Sequence, residues 1–477
     1  MKRIFKYLTI VALSLVAISC QDEFLETSPT ETISNPSTEQ KLYGIYVMMI
    51  NTGTGGTNLD HDDFGQKGYD IYTDMLSSDM VLAASTYGWY ARLCNLSDPV
   101  NNTTNTCYKP WRYYYRVIAA ANDVIADLGG NDAVLESQED KYIMGQAKAL
   151  RAYAYFYLLQ LYVKSYSPDE DAIPVYTAPL IPAQPKSTQS VVYNQIIKDL
   201  TESIDLLEGF SRANKGMINK YVAEGLLAYT YAAIGDYANA AQRSKNIIDG
   251  GGFPITTKAA AVGGGFNDLA TPSWMWGFDL TTENGLDLVS WWGQVDLYTY
   301  SYAWAGDPKT MDDGLYNSMR TDDVRRGQFE DIYGIEHWPT NKFFAPDKPE
   351  EGGQRTITTD YVFMRVDEFY LLYAESLAKS GQEGTAKTIL KDYLQNRLGD
   401  VSYIDALSGV ALQNEIYLQT RIEFWGEGKS YLAMKRNKAT ITRGLNHLWF
   451  QGTSFSYDDN RLTLAIPQEE ILNNPHF

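Results

Sequence analysis

Two chemistries are scarce in this 477-residue chain. It has three Cys and four His, too few for a zinc or iron–sulfur framework. Positive charge is short as well. Lys and Arg total 40 against 59 Asp and Glu, a net charge of −19. Phosphate binding needs clustered cations, so nucleic acid is not an expected partner. No Gly-x-Ser-x-Gly elbow, His-Glu-x-x-His pair or Gly-Lys-Ser/Thr phosphate loop occurs. Nor does any apolar run reach the roughly 18 residues that a spanning helix needs. Apolar residues are 44% and charged residues 21%, which excludes a disordered or collagen-like chain. What is plentiful is aromatic: 36 Tyr, 17 Phe and 10 Trp. Tyr and Trp pair an apolar body with a polar tip, so they serve cores and wet recognition surfaces alike.

The amino terminus reads as an address. Lys2, Arg3 and Lys6 precede a short apolar run, Leu8 to Ile18, ending in Ala17-Ile18-Ser19-Cys20. Small residues before Cys resemble a bacterial lipobox, which makes Cys20 the lipidated residue and 1–19 a removed signal. An ordinary signal peptide with an incidental Cys is the alternative. Residues 20–36 then form a lipidated tether rich in Ser, Thr and Pro. Two cysteines remain, Cys94 and Cys107, which either pair or stay as thiols; spacing does not decide.

Helical periodicity dominates the rest, over about 37–51, 67–80, 111–128, 145–163, 190–208, 219–233, 237–249, 363–380, 384–397 and 411–437. The one strand signal of note is Leu462 to Ile466. Ala228, Gly235 and Ala240 are spaced seven and five apart, and so are Ala374, Gly381 and Ala386. Small residues at a helix crossing and Gly in the turn are the tetratricopeptide (TPR) arrangement. Helices 145–165 and 188–209 are a further possible pair. The fold class is therefore mainly α, with a TPR-like scaffold over 37–250 and 361–440. Between them, 251–360 is broken by glycines and carries six of the ten Trp. It is expected to be a loop-rich, aromatic-rich binding layer on the scaffold. Arg421, Glu423 and Glu427 are spaced to pair at short range on one helix face. Arg151 and Arg365 sit in apolar helices and need partners. Adjacent acids, Asp60, Asp62 and Asp63 around His61 and the pair Asp312 and Asp313, read as solvated loop residues without metal-ligand spacing.

Several segments in order resemble the SusD/RagB-like outer-membrane nutrient-binding lipoproteins of Bacteroidetes. They are Cys20-Gln-Asp-Glu-Phe-Leu25, Gln146-Ala-Lys-Ala-Leu-Arg-Ala-Tyr-Ala-Tyr-Phe-Tyr157 and Arg365-Val-Asp-Glu-Phe-Tyr-Leu-Leu-Tyr-Ala-Glu375. Arg421-Ile-Glu-Phe-Trp-Gly-Glu-Gly428 and Ile466-Pro-Gln-Glu-Glu-Ile471 complete the set. The resemblance implies a SusD-like α-helical domain over 37–477, lipid-anchored at the cell surface on the outer membrane. It implies capture of glycan, or in some branches peptide, for a SusC-like TonB-dependent transporter, with no catalysis and no cofactor. A surface glycoside hydrolase and a TPR scaffold serving only protein partners are the competing readings.

Candidate ligand residues fall in two segments. The first is Tyr87-Gly-Trp-Tyr90 with Arg92, and the resemblance implies that this loop contributes to binding. The second is Trp291, Trp292, Tyr298, Tyr300, Tyr302 and Trp304; an extended chain would aim 298, 300 and 302 to one side and only one of the two Trp outward. Each ring platform is worth about 0.5–1.5 kcal/mol. Three give near-millimolar binding. Trp89 is the first choice.

Overall fold

The computed structural model describes residues 35–477 apart from 59, 300 and 349–354. The expected signal 1–19, Cys20 and nearly all of the tether 20–36 lie outside the described residues. Eleven described helices have eight or more residues: α1 (Thr38–Ile50), α2 (Gln66–Leu76), α3 (Asn105–Asp127), α4 (Gln138–Tyr162), α5 (Gln189–Leu206), α6 (Lys220–Ala233), α7 (Tyr237–Gly250), α8 (Asp367–Lys379), α9 (Glu383–Leu394), α10 (Gly409–Glu423) and α11 (Ser430–Asn437). The described strands are short and pair two by two. No described helix is long and apolar enough to cross a membrane.

Local chemistry sets the helix ends. Ser37 and Gln40 form a reciprocal capping box on α1. Asn219 and Asp236 accept backbone N–H bonds at the starts of α6 and α7. Both matched hairpins form. Gly235 turns α6 into α7 at φ +81°, and Gly381 turns α8 into α9 at φ +77°. Ala228, Ala240, Ala374 and Ala386 are buried. The two hairpins also pack on each other through α7 and α8. The further pair forms from α4 and α5. Gly145 there faces Leu206 and Leu207, where a Cβ would collide. Arg151 finds its partner across this pair, in two bonds to Asp199 of 2.9 and 2.6 Å.

Four expectations change. Helix 411–437 is two helices, because Gly426 and Gly428 adopt φ +81° and +72° and break it after Glu423. Residues 462–466 form no ladder; instead Leu464 and Ala465 N–H groups bond to the Leu161 and Pro99 carbonyls. Arg421 does not pair with its helix neighbours but with Asp79, at 2.5 Å. Finally, the layer 251–360 is not an exposed aromatic surface. Trp274, Trp276, Trp291, Trp292 and Trp338 are all buried, and only Trp304 among its six Trp is exposed.

That layer is fastened to the helices by a buried ion network. Arg365 bonds Glu427 (2.8 and 3.0 Å) and Glu423 (2.8 Å). Arg397 bonds Glu423 (2.9 Å) and Asp367 (2.9 Å). Arg325 bonds Asp323 and Glu423, and Lys342 bonds Glu427. Burial alone would raise the Glu423 carboxyl, but Arg397, Arg365 and Arg325 outweigh it and hold it well below the usual range.

Candidate functional site

A cleft of about 480 Å³ opens where three segments meet: the 60–63 loop ahead of α2, the 88–93 turn, and 98–109 leading into α3. The antiparallel pairing of Met80–Leu82 with Lys309–Met311 sets the frame. It lays the 83–90 loop beside the 302–308 turn. Buried Asp307 then accepts the N–H groups of Thr86 and Tyr87. Gly88 at φ +85° and Tyr90 at φ +65° bend the loop tightly on either side of Trp89. A left-handed backbone is rare for a bulky residue such as Tyr. The buried Tyr90 ring, with Lys309 Nζ 5.5 Å from its centroid, holds this conformation in place. Trp89, half-buried, is thereby carried at the cleft.

His61 stacks on Trp89, with centroids 4.9 Å apart and planes 16° from parallel. Tyr302 closes on both rings, at 5.3 Å from His61 and 6.2 Å from Trp89. One face of Trp89 is thus covered by imidazole. Partial burial lowers the His61 pKa below its ordinary value, against Asp62 and Asp60, which favours the neutral ring. The His61 carbonyl accepts Gln294 Nε2 (2.9 Å), and Gln294 Oε1 accepts Lys309 Nζ (2.7 Å). Burial pushes the Lys309 ammonium down to about 7.

The cleft walls are polar. Asp62 accepts from Tyr72 Oη (2.6 Å) and Lys109 Nζ (2.5 Å). Asp60 Oδ2 accepts from Asn105 (2.9 Å) and Lys109 (3.4 Å). Asp98 accepts from Arg92 Nε and Thr106 Oγ1, both at 2.6 Å. Asn101, Thr103 and Thr104 complete the rim. A flat ring beside hydroxyls, amides and ionised groups suits a ligand with C–H faces and hydroxyl edges.

Of the expected ligand residues, Trp89, Tyr90 and Arg92 line this one cleft. Tyr302 backs it, although its ring is buried rather than presented. The rest of the second segment is corrected. Ser290 caps a short helix, Trp291–Val295, so the chain there is not extended. Both Trp rings turn inward: Trp291 packs edge-on against Trp292 (5.0 Å) and Phe343 (4.5 Å), under Lys67. Tyr298 joins a separate cluster with Lys348 and Phe344. Trp304 is exposed but outside the cleft wall. Tyr300 lies outside the described residues. The sequence does not single out Tyr72, Asp98 and Lys109, and in it His61 and Asp62 read as solvated rather than as part of a site. Two of the three acids around His61 are not solvated: Asp62 and Asp63 are buried, and Asp63 accepts three bonds from Gly55 and Thr57, while Asp60 is partly exposed. Asp312 is buried too, bonded to Leu315, Gly444 and His447. Cys94 and Cys107 are free buried thiols, not a disulfide. No described cluster of His, Cys, Asp and Glu is placed to hold a metal ion.

Comparison with known proteins covers both halves of the chain. A family model described as "Starch-binding associating with outer membrane" matches residues 23–231, and one described as "SusD family" matches 292–475. A SusD-like protein of Formosa agariphila is 26% identical over 225 residues, 45% of this chain and 40% of that protein. A SusD-like protein of Bacteroides ovatus is 28% identical over 141 residues, 29% of this chain and 24% of that one. The chain thus spans less than half the length of these curated relatives. Among solved structures, a SusD-like carbohydrate binding protein from Bacteroides vulgatus superposes with a TM-score of 0.78. It is 23% identical, with 92% of this chain and 96% of that one covered. Surface glycan-binding protein A from Bacteroides thetaiotaomicron, in complex with laminarihexaose, gives 0.68 at 16% identity, over 92% and 97% of the two chains.

Proposed function

Because the chain belongs to the SusD/RagB-like family, we propose that it is a cell-surface lipoprotein that captures oligosaccharide and passes it to a SusC-like TonB-dependent outer-membrane transporter. The observation that carries the ligand half of this reading is the Trp89 cleft. It combines one aromatic face, held by a strained turn, with a rim of hydroxyl, amide and charged groups. Sugars offer matching surfaces, C–H groups on the ring face and hydroxyls at the edge. The carboxylates at the cleft floor are tied to Lys109, Tyr72 and Thr106, which suits holding a ligand rather than attacking it. Binding without hydrolysis is therefore the activity assigned.

Anchoring follows from Cys20, and delivery from the family. Affinity electrophoresis of the purified chain against neutral glycans tests the binding; retardation with no release of reducing ends is the expected result. Accumulating reducing ends would replace this reading with the hydrolase. Extraction in mild detergent tests the partner, and a barrel transporter should co-purify. In Cys20→Ala, palmitate incorporation should vanish and the protein should leave the membrane fraction.

A further inference from the structure

The charges that line the cleft carry an inference about which glycans it accepts. Three carboxylates, Asp60, Asp62 and Asp98, face two cations, Arg92 and Lys109. Burial lowers the His61 pKa, so the ring stacked on Trp89 does little to offset the acids. Lys109 is not available to a ligand: its side chain is 3% exposed, and its ammonium is already bonded to Asp62 and Asp60. Arg92 is 62% exposed along its side chain, but its Nε is committed to Asp98 at 2.6 Å. An anion reaching its outer nitrogens would stand one guanidinium away from the Asp98 carboxylate. The guanidinium is thus exposed on the cleft side and backed by the buried Asp98 carboxylate, which neutralises most of its pull on an anion. Asp60 keeps one oxygen without a partner among the described residues, an acceptor for a sugar hydroxyl and a repellent for a second carboxylate. The whole chain adds a field of the same sign, with 59 acids against 40 bases.

Resting on the glycan-binding reading above, we infer that the cleft selects uncharged glycans and turns away chains that carry uronate or sulfate groups. Sugar hydroxyls donate and accept, so they satisfy both Asp60 and the outer N–H groups of Arg92 with no net charge brought in. A uronate or sulfate satisfies only the second and meets an excess of negative charge around it.

Calorimetric titration of the purified chain tests this with named probes: laminarihexaose, mannohexaose and xylohexaose against a hexamer of galacturonate and a hexamer of sulfated chondroitin. Each is run at about 20 mM and about 300 mM NaCl, on either side of the salt at which surface fields are screened. At least one neutral hexamer should bind, with a Kd that moves less than about twofold with salt. The anionic hexamers should bind at least about tenfold more weakly than it does, and gain as salt screens the repulsion. Asp60→Asn, an isosteric change at a partly exposed position, should bring the anionic hexamers closer to the neutral one. Anionic binding as tight as the neutral binding, or anionic binding that weakens with salt, overturns the selectivity and leaves the glycan reading standing. If none of the five oligosaccharides binds, the glycan reading falls and the selectivity falls with it.

Discussion

Replacing Trp89 by Ala removes the half-buried ring of the cleft, whose other lining aromatics, Tyr72 and Tyr90, are buried. Trp89 touches His61 in a stack and Tyr302 at an edge. At about 0.5–1.5 kcal/mol per aromatic pair, folding should lose about 1–3 kcal/mol. A domain of 150–250 residues falls about 2–4 °C per kcal/mol, and a longer one less, so the melting temperature should drop by a few degrees. Ligand affinity should suffer more visibly. Loss of a platform worth about 1.4 kcal/mol weakens the Kd about tenfold. Affinity electrophoresis and a thermal melt, run on the same preparation, read both numbers. Trp291→Ala is the contrasting variant. Its ring is fully buried against Trp292 and Phe343, so it should cost about 3–5 kcal/mol of stability and leave the affinity of the folded fraction unchanged. Unchanged binding in Trp89→Ala, or a collapse of its melting temperature to match Trp291→Ala, would refute the assignment of Trp89 as a platform.

Asp307→Ala frees the Thr86 and Tyr87 amides that orient the Trp89 loop, so affinity should fall although residue 307 does not line the cleft; titration of the same glycan checks it. Glu423→Gln should lose about 3–5 kcal/mol in a denaturant melt, because three buried guanidiniums are left short of charge. In the wild type, the depressed Glu423 and Glu427 carboxyls give stability that is full above the ordinary carboxylate pKa. It is lost only as pH falls through their lower folded values. The contribution of Glu423, read as the difference in melting temperature between wild type and Glu423→Gln, should hold from neutral pH down to the ordinary carboxylate range and shrink below it. Dithiothreitol should leave the melting temperature unchanged, and alkylation of the native protein should be slow. Burial pushes the Cys94 and Cys107 thiols up to about 11 and keeps reagents out.

The helical scaffold was legible because its signals are local. Ala228-Gly235-Ala240 and its copy at 374, 381 and 386 encode a crossing and a turn within a dozen residues. The position of Trp89 in a turn rather than on a helix was legible for a related reason: Gly88 and Tyr90 interrupt periodicity, and an aromatic there has no helix face to pack on. Trp291 and Trp292 misled because two adjacent rings in an aperiodic stretch carry no sign of direction; Ser290 caps a one-turn helix, and both rings turn inward. Arg421 misled because its partner, Asp79, is 342 positions away. His61 misled because a lone imidazole among acids looks solvated until Trp89, a distant loop residue, lies on it. Asp307 and Gln294 act only through pairings that the strands at 80–82 and 309–311 create, and no window of sequence contains both sides.

The ion network also dictates an order of assembly. Its guanidiniums belong to residues 325, 365 and 397, whereas the acids that join them, Glu423 and Glu427, come later in the chain. A chain that stops short of residue 423 still offers Asp323 and Asp367 to Arg325, Arg365 and Arg397, but lacks the two glutamates that complete their pairing. Until those last acids arrive, each guanidinium keeps only part of its charge pairing and its burial costs more. Closure of this part of the interior is therefore favoured most once the segment carrying Glu423 and Glu427 is in place.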